Sequence, residues 1–182
     1  MTDHYRRRWV GLVFISVAVS LIIVDSTIVN VAVPSIVEDL GISSTEVQWV
    51  QEAYTLVFAS LLLLFGSLAD RFGRKRLMLV GVVVFAGSSV LAALAPTGEL
   101  LILARLVQGV GGAMILPTTL SVINATFRGR ERGIAFAVWG STIGGMAAVG
   151  PLLGGWLTTD FSWRGAFGIN IPLGIAVFIG IA

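Results

Sequence analysis

Asp25 lies in SLIIVDSTIVNVAVP, inside a run that is otherwise almost wholly apolar. Burying an ionised carboxylate is costly, so an acid in such a place faces a cavity or a partner and is functional by default. Arg105 is the opposite case, a lone cation in LILARLVQGVGGAMILP. With Gln108, Gly109 and Gly112 it marks one helical face at i, i+3, i+4 and i+7. Such a face suits a polar cavity wall, and its glycines suit close helix packing equally well. Glu52, on a shared face with Gln48, is a further titratable candidate for a cavity, or a solvated residue near the interface.

These side chains must be positioned by helices in a membrane. The chain of 182 residues is 56% hydrophobic and 12% charged, whereas a soluble domain is about 25% charged. Several apolar blocks exceed the roughly 18 residues that mark a membrane-spanning helix. Six helices are predicted, over about 9–33, 47–69, 77–95, 100–123, 133–157 and 165–182. The fold class is therefore an all-α integral membrane protein, with the lipid bilayer as its main surrounding. The alternating strands of a membrane barrel are not seen. The absence of cysteine excludes disulfides, thiolate metal sites and cysteine nucleophiles. The one histidine, His4, lies in the N-terminal tail, so an HExxH metal site is excluded too. There is no nucleophile–base set and no phosphate or cofactor loop. Neither an enzyme, a cofactor, a metal site nor a nucleic-acid partner is expected.

Charge predicts the orientation. Arg6, Arg7 and Arg8 precede the first helix; Arg71, Arg74, Lys75 and Arg76 follow the second; Arg128, Arg130 and Arg132 follow the fourth. Ten of the 12 basic residues thus share one side. The other side carries Glu38, Asp39, Glu46, Glu99 and Asp160 against Arg164. By the positive-inside rule the N-terminus and the basic loops are cytoplasmic, in a multi-pass plasma-membrane protein. Counting from Trp9 at about 1.5 Å per residue puts Asp25 roughly 24 Å across a core of about 30 Å, in its outer third. Arg105, counted from Leu100, is about 8 Å below the outer boundary. Opposite charges at similar depth predict a pair, or a water-filled site, if the two helices adjoin.

Other motifs concern movement and packing. The fifth helix has small residues four apart at Gly140, Gly144 and Ala148, at Ala147, Pro151 and Gly155, and at Gly150 and Gly154. These stripes let backbones approach closely, and Pro151 should kink the helix, giving a packing surface, seal or pivot. In GSLADRFGRKR, Gly66 and Gly73 permit tight turns. The positive-inside rule explains the cations there but not Asp70. Helices 1 and 4 each carry a charge followed by a proline, Pro34 or Pro117, and GSLADRFGRK echoes GGWLTTDFSWRG on the opposite side. That pattern predicts an inverted three-plus-three repeat. The final PLGIAVFIGIA stops inside an apolar block, so the chain is expected to be a fragment ending in the sixth helix.

On these motifs the chain resembles the major facilitator superfamily, and more narrowly the N-terminal half of a drug:proton antiporter of the fourteen-helix type. The likeness covers nearly all 182 residues. It is carried by DSTIVNVAVP (25–34), GSLADRFGRKR (66–76), LILARLVQGVGGA (101–113) and GPLLGG (150–155). Two positions depart from the pattern: Met146 where a glycine usually precedes GP by four, and Gly165 in WRGAFGINIP where an aromatic is common.

The resemblance implies the N-terminal six-helix bundle of a major facilitator fold, spanning 1–182, with a missing C-terminal half carrying the remaining helices. It implies proton-coupled efflux of a lipophilic or cationic small molecule by alternating access. Asp25 would be the acid of proton coupling, and Arg105 would tune or relay its protonation, with Gln108 and Glu52 as further cavity groups. Asp70 and Arg74, in a cytoplasmic gate motif with Gly66, Arg71 and Gly73, would latch onto the other half. Gly150, Pro151, Gly154 and Gly155 would form the hinge that closes the outer side. The alternatives are a facilitator or symporter for a polar metabolite, with Arg105 binding the anion and Asp25 as its counter-charge, or an inactive truncated remnant.

Overall fold

A computed structural model describes residues 2–181. They form α1 (Thr2–Leu40), α2 (Ser44–Phe72), α3 (Arg74–Ala93), α4 (Gly98–Thr126), α5 (Gly129–Asp160), α6 (Arg164–Gly168) and α7 (Asn170–Ile181). Six helical segments are long and apolar enough to cross a membrane, with α6 and α7 together making the sixth. Ala182, the last residue of the predicted sixth helix, lies outside the described residues.

Polar N-caps set the starts of α2 and α4. Ser43 begins α2 through a capping box: its Oγ accepts from the Glu46 N–H at 3.3 Å, and the Glu46 carboxylate accepts from the Ser43 N–H at 2.8 Å. Thr97 caps α4. Between α2 and α3 stands only Gly73, with φ of 99°, a backbone that residues with a Cβ rarely adopt.

Two expectations change. First, α1 does not stop at Val33 but runs on through Pro34 to Leu40. A membrane helix tolerates an internal proline because neighbouring helices compensate the freed backbone group. Asp25 then lies about 25 Å of helix from Arg8 and about 21 Å from Asp39, near the middle of α1 rather than in an outer third. Second, the sixth helix is broken at Ile169. Pro172 has no N–H for the Gly168 carbonyl, so the helix restarts at Asn170 with the proline in its first turn, where no donor is needed.

The helices pack in an exchanged pattern. α1 lies along α5, α4 lies between α2 and α3, and α7 rests on α1 and α3. Exchanging the first three spans with the last three turns the α1–α5 contact into α4–α2, and the α3–α4 contact into the sixth span on α1. This is the packing of an inverted three-plus-three repeat. Missing side chains make the close contacts possible. A Cβ on Gly109 would lie 2.7 Å from the Tyr54 carbonyl oxygen, and one on Gly111 would lie 2.7 Å from the Phe85 nitrogen. On the other side, a Cβ on Gly150 would overlap Thr27, and one on Gly154 would lie 3.2 Å from Val31 Cβ. The GPLLGG segment therefore divides. Gly150 and Gly154 are buried against α1, while Pro151 is exposed and a Cβ on Gly155 would meet nothing within 4 Å. The Gly140, Gly144 and Ala148 stripe also faces outward.

Each end of the bundle is tied. At the end holding the basic segments, Arg8 Nη1 is 3.3 Å from Glu131 Oε2, and Arg74 Nη1 donates to the Ser121 carbonyl at 2.7 Å. At the other end Asp39 Oδ2 accepts from Trp163 Nε1 at 2.9 Å and Arg164 Nη1 at 2.6 Å, while Arg164 Nη2 donates to the Ala95 carbonyl at 3.2 Å.

The divided motif makes a stability prediction. Gly150→Val wedges α1 from α5 and should cost about 1–3 kcal/mol, whereas Gly155→Ala should leave the bundle unchanged. Thermal unfolding in detergent checks this; equal midpoints for the two variants would refute the assigned α1–α5 contact.

Candidate functional site

The middle of the bundle holds a buried polar cluster built from five helices. Asp25 projects from α1 with no solvent exposure, and Arg105 from α4 with 2%. Arg105 Nη1 donates to Asp25 Oδ2 at 2.5 Å and to Gln108 Oε1 at 2.7 Å. Asp25 Oδ1 accepts from Gln108 Nε2 and from Asn170 Nδ2, each at 2.7 Å. Both amides also donate to Ser89 Oγ of α3, at 3.0 and 3.2 Å, and Ser89 in turn donates to the Phe85 carbonyl at 2.8 Å. From α2 come the Val50 carbonyl, which accepts from Arg105 Nε at 3.2 Å, and the Tyr54 ring, 4.3 Å from the guanidinium carbon. The cation–π contact and the hydrogen bonds compensate the desolvated guanidinium.

Local sequence explains why these side chains meet. Arg105 and Gln108 are three apart and share a face of α4. The small residues flanking them bring α2 and α3 close enough for Tyr54 and Ser89 to reach in. The break at Ile169 places Asn170 at the start of α7, opposite Asp25.

The expected Asp25–Arg105 pair is therefore formed, with Gln108 in it. Glu52 is not brought to it. Glu52 is exposed and accepts from Gln48 Nε2 at 3.0 Å, one turn away. It stands two residues, about 200° of helix, from both Val50 and Tyr54, so its side chain leaves α2 on the opposite face. Ser89, Tyr54 and Asn170 escaped the sequence reading. The available signal was an uncharged one: Asn170 is the lone amide side chain of the final apolar block, and Ser89 sits in the pair Ser88–Ser89 of another.

A cavity of about 170 Å³ opens beside the cluster between α1 and α2. Its polar lining is Ser26, Thr27, Asn30, Gln51, Thr55 and Arg105, with Tyr54. Arg105 reaches this space, whereas Asp25 lies behind it. At the basic end, Arg74 grips Asp70 Oδ1 through Nε at 3.1 Å and Nη2 at 2.9 Å, one turn apart, with Asp70 exposed and Arg74 half-buried. Arg71 lies over the Phe72 ring at 5.7 Å; Gly66 lies within α2 rather than at a turn, and a Cβ there would make an ordinary 3.7 Å contact with Pro117 Cβ of α4. Among the described residues no cluster of acids and histidines could hold a metal ion.

This charged, hydrogen-bonded cluster lies buried midway along six helical segments that are long and apolar enough to cross a membrane. The chain belongs to the major facilitator superfamily, whose family model matches residues 2–182. It is 47% identical over 175 residues to the puromycin resistance protein pur8 of Streptomyces alboniger, covering 96% of this chain and 35% of that protein. It is 44% identical over 168 residues to the multidrug efflux pump LfrA of Mycolicibacterium smegmatis, covering 92% and 33%. With the lincomycin resistance protein of Streptomyces lincolnensis it shares 43% identity over 181 residues, covering 97% and 36%. The chain spans about a third of the length of these relatives. The fold is also that of a bacterial homologue of the human lysosomal transporter Spinster, with a TM-score of 0.77 at 19% identity, covering all of this chain and 42% of that one. It matches a peptide transporter POT bound to alafosfalin with a TM-score of 0.82 at 14% identity, covering 100% and 41%.

The cluster predicts a strong coupling between its charges. Arg105→Ala leaves a buried carboxylate without its cation and should cost about 3–5 kcal/mol. Asp25→Asn combined with Arg105→Gln should recover most of that loss in a thermal unfolding assay. Additive losses in the double variant would show that the ion pair is not the stabilising unit.

Proposed function

We propose that this bundle is the N-terminal part of a proton-coupled exporter of lipophilic or cationic small molecules, working by alternating access in the plasma membrane. The observation that carries the reading is the Asp25 carboxylate, buried and reached only by donors from other helices. Adding a proton to it removes the charge that holds Arg105, so proton uptake and helix rearrangement share one interaction. The likeness to drug-resistance and multidrug-efflux proteins supports export of small molecules. In this reading the basic end faces the cytoplasm. Asp70 and Arg74, already paired there with Asp70 exposed, would latch onto the C-terminal half. Gly150 and Gly154 would be the sliding contact of α5 on α1, with Pro151 and Gly155 turned toward that half. Rocking of the two bundles would then switch access to the cavity.

The test is transport by the full-length protein in liposomes. Asp25→Asn should reduce pH-gradient-driven efflux to the leak level while substrate still binds. Undiminished proton-coupled efflux in this variant would sink the assignment.

One observation favours a second reading. Arg105, not Asp25, lines the cavity, so a facilitator or symporter for a polar metabolite could use Arg105 to bind an anionic or carbonyl group, with Asp25 as its counter-charge. Transport indifferent to a pH gradient and lost in Arg105→Ala would establish that reading instead.

A further inference from the structure

The hydrogen bonds around Asp25 are complete for one charge state only. Oδ2 accepts from Arg105, and Oδ1 accepts from Gln108 and Asn170. Every neighbour bonded to the carboxylate is a donor, which suits the ionised form. A protonated carboxyl carries an O–H of its own and needs an acceptor.

Three side chains that bond the carboxylate or its amide donors carry an oxygen. Gln108 cannot be the acceptor, because its Oε1 already accepts from Arg105 Nη1 at 2.7 Å. Turning that amide over would set its NH₂ against the guanidinium, donor against donor. Ser89 Oγ is also occupied, taking both amides and donating to the Phe85 carbonyl. Asn170 is different: its Oδ1 is buried and has no hydrogen-bond partner. A buried acceptor without a donor is costly and calls for a cause. The other buried oxygens without partners, Ser16 Oγ and Tyr54 Oη, belong to side chains that make no bond to the carboxylate.

We propose that the Asn170 side-chain amide serves Asp25 in both charge states, donating through Nδ2 to the ionised carboxylate and, after a half-turn about its Cβ–Cγ bond, accepting through Oδ1 from the protonated one. The proposal rests on the reading of Asp25 as a proton-exchanging acid and deepens it. A proton given up by hydronium forms the O–H bond at Asp25 Oδ1, leaving a water molecule and a neutral carboxyl; no other covalent bond is made or broken. The turn moves the bond to Asp25 from Nδ2 to Oδ1 without displacing the backbone; it gives up the Nδ2 bond to Ser89 Oγ, whose hydroxyl then turns from the Phe85 carbonyl toward Asn170 Oδ1. Because Asn170 is the first residue of α7, beside the break at Ile169, the proton state of α1 is read at the joint of the sixth span. The titratable and charged groups facing Asp25 are Arg105 of α4 and Tyr54 of α2. α3 and α7 present only the neutral Ser89 and Asn170, and α5 carries no acid or base between Arg132 and Asp160.

Difference infrared spectroscopy of the full-length transporter across a pH titration tests this. The C=O band of protonated Asp25 is the one lost in Asp25→Asn, and its frequency falls when the carboxyl O–H is hydrogen-bonded. The band should move up to the position of a free acid in Asn170→Leu. Asn170→Ser, which keeps a smaller acceptor, should place it between. In the unsubstituted protein with ¹³C-labelled asparagine, the Asn170 amide C=O band should shift together with protonation of Asp25, which gives a readout even if Asn170→Leu fails to fold. An Asp25 band unmoved by Asn170→Leu, or an amide band indifferent to Asp25 protonation, would overturn the proposal while leaving proton coupling intact. The absence of an Asp25 carboxyl band at every pH would instead defeat the proton reading itself, and this proposal with it.

Discussion

A carboxylate in the middle of a membrane bundle must be surrounded by donors, and this one requirement organises the centre of the molecule. Asp25 takes donors from α4 and α7, which are steadied by Ser89 of α3 and the Val50 carbonyl of α2. Five helices are therefore held in register by one charge. Separating any of them exposes a buried ion or a buried amide, and in lipid there is no water to replace the lost partner. The apolar layers above and below fill the remaining space but do not specify which helices meet, since lipid is as good a solvent for them as a neighbouring helix.

The rest of the scaffold makes that meeting sterically possible. Glycines at 109 and 111 let α4 sit between α2 and α3, and Gly150 and Gly154 let α5 lie on α1. The repeat is visible in the end ties as well. Arg74, at the start of α3, reaches the Ser121 carbonyl near the end of α4, while Arg164, opening the sixth span, reaches Asp39 near the end of α1. Under the exchange of the two three-helix units these are equivalent contacts on opposite faces of the membrane. The centre breaks the symmetry. An acid stands on α1 and a base on α4, so the two units attract each other where they meet.

Much of this was legible in the amino-acid sequence. Apolar length determined six spans, because the bilayer has a fixed thickness. A lone acid and a lone base in two of them predicted a pair or a water-filled site if the helices adjoined; the fold brings the helices together and makes it a pair. Helical spacing placed Gln108 beside Arg105. Tertiary structure decided the remainder. That α1 continues through Pro34, and that Asp25 therefore sits near its middle, depends on neighbouring helices compensating a lost backbone bond. That Gly150 and Gly154 face α1 while Pro151 and Gly155 face away depends on the rotation of α5, which a stripe on every side left open. That Glu52 turns outward depends on which face of α2 meets α4. Asn170 and Ser89 joined the site only through folding, because a neutral amide or hydroxyl in an apolar run does not declare its partner. Sequence marks where a charge must be neutralised; only packing decides which uncharged groups complete its hydrogen bonds.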